Sequence, residues 1–195
     1  MDSPPSRKQL THDRIVTTAA RAIRRGGFQG VGVADIMKEA GLTHGGFYAH
    51  FASRNALLAE ALARAGQEGV ARVAKEVALR RKQGASALRA LVEYYLAERH
   101  LAATEKMCAV AALASEMPRQ PPEVRDAAAQ RVRGLMTLVE HSLPAEVPAS
   151  HARLIACQLV GALQLARALG NNAEGKALLA ASREALLSQY DRSTD

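Results

Sequence analysis

Tryptophan is absent from this 195-residue chain, and aromatic residues of all kinds make up only 4% of it. A sequence so poor in aromatics and so rich in alanine packs more readily as helices than as sheet, which predicts an all-α fold. Cysteine is scarce as well. Cys108 and Cys157 lie far apart, with no CxxC spacing and no histidine-rich context. They read as free thiols in a reducing cytoplasm, with no metal and no cofactor expected. No uninterrupted apolar run approaches the roughly 18 residues of a membrane span. The polar opening MDSPPSRKQL lacks the apolar core of a signal peptide. Catalytic constellations are missing too: there is no HExxH, no ExxH pair, no GxSxG and no phosphate loop. Glu140 and His141 are adjacent and so diverge on a helix. The chain therefore does not read as an enzyme.

Positive charge is what it does have, and mostly in one place. The formal net charge is +7; residues 1–55 carry eight Lys or Arg against four acids, an excess of +4, and the other 140 residues hold the remaining +3. A basic excess at one end suits phosphate contact, although a solvated basic face has the same composition. The length allows a small N-terminal module and one larger helical core.

The run AGLTHGGFYAHFASRNALLAEAL, residues 40–62, is the most informative stretch. Gly41 suits a bend between two helices, because glycine accepts positive φ. Thr43 is placed to cap the next helix. Phe47 and Phe51, four apart, share an inward face, and His44, Tyr48 and His50 are left to point outward. Gly45 and Gly46 weaken the first turn by roughly 0.8–1 kcal/mol each, as expected where a backbone must approach something large. Upstream, Ile15, Ala19, Ala22 and Ile23 mark one helix ending at Gly26-Gly27, and Val33, Ile36, Met37 and Ala40 mark a second. Two helices, a glycine turn and a short helix with polar outward residues describe a helix-turn-helix for the DNA major groove.

The elements RIVTTAA, Gly27, VADIM, AGLT, YAHF and SRNAL stand in order between Arg14 and Leu57. In spacing and residue type they resemble the DNA-binding domain of the TetR family of bacterial transcriptional regulators. The resemblance implies that Thr43, Tyr48 and Arg54 contact the DNA backbone and that His44 reads a base edge or a phosphate. Gly45, Gly46 and His50 complete the expected DNA-facing set. Gly46 departs from relatives that carry a polar side chain there, and Gly32 from those that cap the second helix with Ser or Thr. Sequence preference would then lean on DNA shape and on a flexible basic arm, residues 1–10, whose Arg7 and Lys8 would enter a minor groove. Residues 11–55 form the expected helix-turn-helix domain, and 56–195 a ligand-binding and dimerisation domain, matching the family only in size and helicity.

That second part reads as helices between clear breakers. A long helix runs from Arg54 to Arg81. The next carries Leu88, Leu91, Val92, Tyr95 and Arg99. An apolar stretch from 107 to 117 ends at Pro118, and a helix after Pro121-Pro122 carries Val132, Leu135, Met136, Val139 and Leu143. Tyr95, Met107, Cys108, Leu113, Met136 and Val139 are the expected pocket residues, with Tyr95 or Arg99 as the polar contact. Each is also an ordinary core residue. The helix near 150–169 is apolar on almost every side and needs cover from two directions. Leu154, Ile155, Leu159, Val160, Ala162, Leu163 and Ala166 are therefore expected at an isologous four-helix contact with a second copy. The sequence predicts a homodimeric repressor of a palindromic double-stranded DNA operator, released by a small, largely apolar effector. A non-specific DNA-packaging protein would share the charge but needs no large second domain.

Overall fold

The computed structural model describes residues 4–191 apart from 104, 106 and 107, so the expectation for Met107 lies outside the described residues. Among the described residues there are nine α-helices and short 3₁₀ segments, with no strand.

Helix α1 (Arg7–Gly26) begins at a capping box: the Gln9 amide donates to Ser6 Oγ at 3.2 Å and the Ser6 amide donates to Gln9 Oε1 at 2.7 Å. This corrects the expected flexible arm, since Arg7 to Leu10 are helical and no basic residue precedes them. Helix α2 (Val33–Glu39) and a 3₁₀ helix (His44–Ala49) follow. Helix α3 (Arg54–Arg81) is 28 residues long, and Ser53 Oγ caps it by accepting from the Ala56 amide at 3.0 Å.

Two hydrophobic cores share α3. Its first half, with Leu57, Leu58, Ala61, Leu62 and Ala65, closes the N-terminal core together with Ile15, Ile23, Phe28 and Met37. Val73, further along α3, joins the second core. The second part of the chain comprises α4 (Ala87–Tyr95), α5 (Arg99–Ala102), α6 (Ala109–Leu113), a 3₁₀ turn (Met117–Arg119), α7 (Pro122–Glu140), α8 (His151–Leu169) and α9 (Ala173–Tyr190). Ala109, Leu113, Met117, Val124 and Ala128 pack into the N-terminal core. Residue 55 is therefore no packing boundary, and Leu113 supports the helix-turn-helix instead of lining a pocket. Arg99 is corrected as well. Helix α4 stops at Tyr95, so Arg99 opens α5 and stacks over the Tyr94 ring at 5.0 Å.

Helix α8 is long and apolar enough, by length and composition, to cross a membrane. In the fold it packs against α7 and α9. Ile155, Leu159, Leu163 and Ala166 repeat at i, i+4, i+8 and i+11 and are completely buried within the chain, and Ala162 is nearly so. These five belong to the protomer's own core, which corrects their expected place at a contact with a second copy. Leu154 stays exposed, at 57%, and Val160 half-buried. The same outer face carries Leu165, 62% exposed, together with Cys157, Gln158 and Leu169.

Candidate DNA-binding and ligand sites

The turn after α2 is closed by backbone bonds from Gly41 N to Lys38 O (2.9 Å) and from Leu42 N to Met37 O (2.8 Å). Gly41 sits at φ +70°, a conformation that a side chain at Cβ would strain. Thr43 occupies the N-cap position of the 3₁₀ helix, but its hydroxyl makes no capping bond, so the expected side-chain cap is corrected. The exposed hydroxyl remains available to another partner.

Phe47 and Phe51 turn inward and stack at 5.5 Å. His12 stacks on Phe51 at 4.5 Å and pairs through Nε2 with Glu60 Oε2 at 2.7 Å, tying α1 and α3 to the recognition segment. This inward packing leaves Thr43, His44, Gly45 and Tyr48 on the outer face, with Tyr48 73% exposed. Gly45 faces open space, whereas Gly46 rests against Met37 Cε at 3.7 Å. His50 is half-buried, 6.2 Å from the His12 ring. Desolvation, then the charges of His12 and Lys8, push its pKa down, so it braces the segment as a neutral ring. Arg54 Nη2 donates to the carbonyls of Phe28 and, at 3.3 Å, Val31. It thus fastens the turn between α1 and α2 to the start of α3.

The second site is a cavity of about 70 Å³ enclosed chiefly by α3, α4, α5, α6 and α7. Tyr95 and Cys108 line it, as expected, whereas Arg99, Leu113, Met136 and Val139 do not. Val139 is fully buried in the second core, and Met136 packs against that core. Sequence reasoning missed Arg72, Tyr94, His100 and Arg131, and also Gly66, Gly69 and Gly134. The glycines were legible in principle. Each interrupts a long helix at a cost of about 1 kcal/mol relative to alanine, which marks a place where side chains are kept out. Gly69 and Gly134 face open space, and the Arg131 guanidinium lies over Gly66.

Tyr95 and His100 are the polar residues of the cavity wall that are themselves buried. Burial pushes the Tyr95 phenol well up, and the neighbouring Cys108 thiol adds to the shift. The His100 ring pairs through Nδ1 with the Tyr95 carbonyl at 3.1 Å, so Nδ1 carries the proton and Nε2 is left as an acceptor. Desolvation lowers the pKa of His100 and outweighs that bond. Arg167 Nε donates to the His100 carbonyl at 3.0 Å.

Residues 15–61 match the family model of bacterial regulatory proteins of the tetR family, and residues 84–181 match the tetracyclin repressor-like C-terminal domain. No curated protein sequence matches significantly. Among solved structures, a TetR-family transcriptional regulator from Agrobacterium tumefaciens is 26% identical, with a TM-score of 0.74 over 94% of this chain and 98% of that one. The reduced form of E. coli NemR is 18% identical, with a TM-score of 0.74 over 91% and 95%. A TetR-family regulator from Cytophaga hutchinsonii is 16% identical, with a TM-score of 0.75 over 96% and 98%. With its helix-turn-helix at one end of α3 and a helical ligand-binding domain along the rest, the chain belongs to the TetR family and is a DNA-binding transcriptional regulator, not an enzyme.

Proposed function

We propose that this regulator is a repressor, acting in the cytoplasm as a homodimer on a palindromic operator and released by a small, largely apolar molecule bound in the α3–α7 cavity. The observation that carries this reading is the position of α3. Its first residue, Arg54, holds the turn of the DNA-binding unit, and its Ala65–Val73 stretch lines the cavity. Thr43 and Tyr48 contact phosphates, His44 reads a base edge, and Arg54 positions the unit while leaving Nε and Nη1 for a phosphate. Two copies pair through the outer faces of α8 and α9, which presents two recognition segments. Half-sites about one helical turn apart, roughly 34 Å or slightly more, fit that arrangement.

A cavity of 70 Å³ is about half the ~150 Å³ that holds a benzene ring. A ligand of useful size must therefore spread α3 from α7, and that work couples binding to the DNA-binding end. Lowering operator affinity 100-fold requires about 2.7 kcal/mol of preference for the DNA-free form. The test is footprinting of the purified protein on DNA flanking its own gene, followed by a thermal-shift screen and operator release with each hit. A two-fold footprint released by a cavity ligand is expected. Sequence-independent coating of DNA would instead favour a packaging role.

A further inference from the structure

Two donor groups without an oxygen or nitrogen acceptor line the same cavity. Arg72 Nε and Nη2 are buried, although the side chain as a whole is 34% exposed, and they have no hydrogen-bond partner; the buried Tyr95 hydroxyl has only the weak Cys108 thiol beside it. The opposite side of the Arg72 guanidinium is occupied, loosely, by Glu68 Oε2 at 3.7 Å from Nη1. Glu68 itself is committed elsewhere, because the same oxygen accepts from Arg24 Nη2 of α1 at 2.8 Å. No Asp or Glu lines the cavity among the described residues, whereas a second cation, Arg131, does and forms no ion pair among them. A buried donor without an acceptor is costly, and a guanidinium edge without one is more so. The Nε–Nη2 edge presents two parallel N–H bonds with the spacing of carboxylate oxygens. Around these donors much of the wall is apolar or bare, through Val70, Val73, Leu135, Leu138 and the glycines of α3 and α7, and Tyr94, His100 and Cys108 add its other polar groups.

We propose that the cavity takes a small organic monocarboxylate, whose two oxygens sit on the Nε–Nη2 edge of Arg72 while its apolar body lies between α3 and α7. The Tyr95 hydroxyl donates to a polar atom of the same ligand. This assignment rests on the cavity being the effector site and names the class of effector it accepts. An amine is disfavoured by the two cations, since His100 Nε2 can accept a hydrogen bond but no carboxylate lines the cavity among the described residues to balance the charge. A neutral ligand of the same shape would leave the Arg72 edge without its charged acceptor.

The full-length protein is titrated by calorimetry with hexanoate and phenylacetate, with the matched amides, and with hexylamine. The acids are expected to bind, the amides to bind about 10- to 100-fold more weakly, and the amine weakest of all. Arg72→Gln should bring the acids down to the affinity of the amides and leave the amides unchanged. Should that variant fold poorly, Arg72→Lys, which keeps the charge without the fork, is expected to lose most of the preference. Tyr95→Phe should raise the melting temperature of the ligand-free protein and yet weaken acid binding several-fold, a pairing that a purely structural tyrosine does not give. The inference is overturned if neither acid binds, if amide or amine binds as well as acid, or if Arg72→Gln keeps the preference. Operator release separates the two readings. Acids that bind through Arg72 without releasing DNA remove the effector role alone, and release by a neutral compound when no acid binds removes the carboxylate assignment alone.

Discussion

The Glu116 carboxylate accepts a hydrogen bond from the backbone amide of Phe28 at 2.9 Å, joining residues 88 apart in the chain. Glu116 follows α6, whose first residues line the cavity, and Phe28 sits in the turn between α1 and α2. A second tie between the ligand-binding and DNA-binding parts thus runs beside α3. Gly27 permits it twice over. Its φ is +75°, and a Cβ there would lie 2.4 Å from Glu116 Oε1.

Breaking this tie should lower both stability and coupling. Glu116→Ala leaves the buried Phe28 amide without an acceptor, an expected loss of about 1–3 kcal/mol in urea unfolding. Glu116→Gln keeps an acceptor oxygen and should lose much less. Gly27→Ala forces a side chain into the left-handed region, costing about 1–2 kcal/mol before the collision with Glu116 is counted.

At the DNA face, Tyr48→Phe should weaken all operator variants alike, by about 0.5–1.5 kcal/mol for one hydrogen bond. His44→Ala should change the order of preference among operator variants; equal weakening of all of them would move His44 to the phosphate set. Arg54→Ala should act in two ways. It lowers the salt-dependence slope by about one phosphate, and it lowers the melting temperature, because the Phe28 and Val31 carbonyls lose their donor. Fluorescence anisotropy across a salt series, run beside thermal melts, separates the two.

Much of this unit was legible in the sequence because its constraints are local. Gly41 had to take positive φ, and it does. Phe47 and Phe51 had to share one face four residues apart, and they do. The helix end at Arg81 followed from breakers and periodicity. What escaped was set by tertiary packing. Helix α8 carries apolar residues nearly all round, so no amphipathic pattern distinguished its inner stripe at Ile155–Leu159–Leu163 from its outer one at Leu154–Leu165. The stop after Tyr95 has neither Gly nor Pro to announce it, so Arg99 was placed on the wrong helix. Arg72 carries no local signal at all: its side chain stays 34% exposed, and only the packing around α3 buries its Nε and Nη2.

Leu163 and Leu165, two residues apart, should therefore respond in opposite ways. Leu163→Ala empties a fully buried site and is expected to cost about 2–5 kcal/mol of protomer stability. Leu165→Glu should leave helical content and protomer packing intact but yield monomers in sedimentation and abolish tight operator binding. If Leu165→Glu stays dimeric, the outer face of α8 is not where two copies meet.

Stability should also depend on pH through His100. Desolvation holds its folded pKa below the ordinary 6.5, while the unfolded chain titrates near that value. Between the two values the unfolded state binds more protons, so this contribution is complete above 6.5 and is lost as pH falls towards the folded pKa. Arg72, Arg99 and Arg167 nearby disfavour the charged ring further. Urea unfolding at several pH values between about 7.5 and 5 should show the decline, and His100→Gln should flatten it.

The length of α3 has a mechanical consequence. From Gly69, at the cavity, to Arg54 the helix rises roughly 22 Å, so a tilt of about 5° at the cavity moves its DNA end by ~2 Å. Hydrogen bonds to phosphates and base edges tolerate a few tenths of an ångström, so ~2 Å takes a recognition segment out of register. A ligand need only wedge α7 away from the glycine-lined stretch of α3 by a fraction of a side chain's width; the rod between converts that small opening into a displacement the double helix cannot follow.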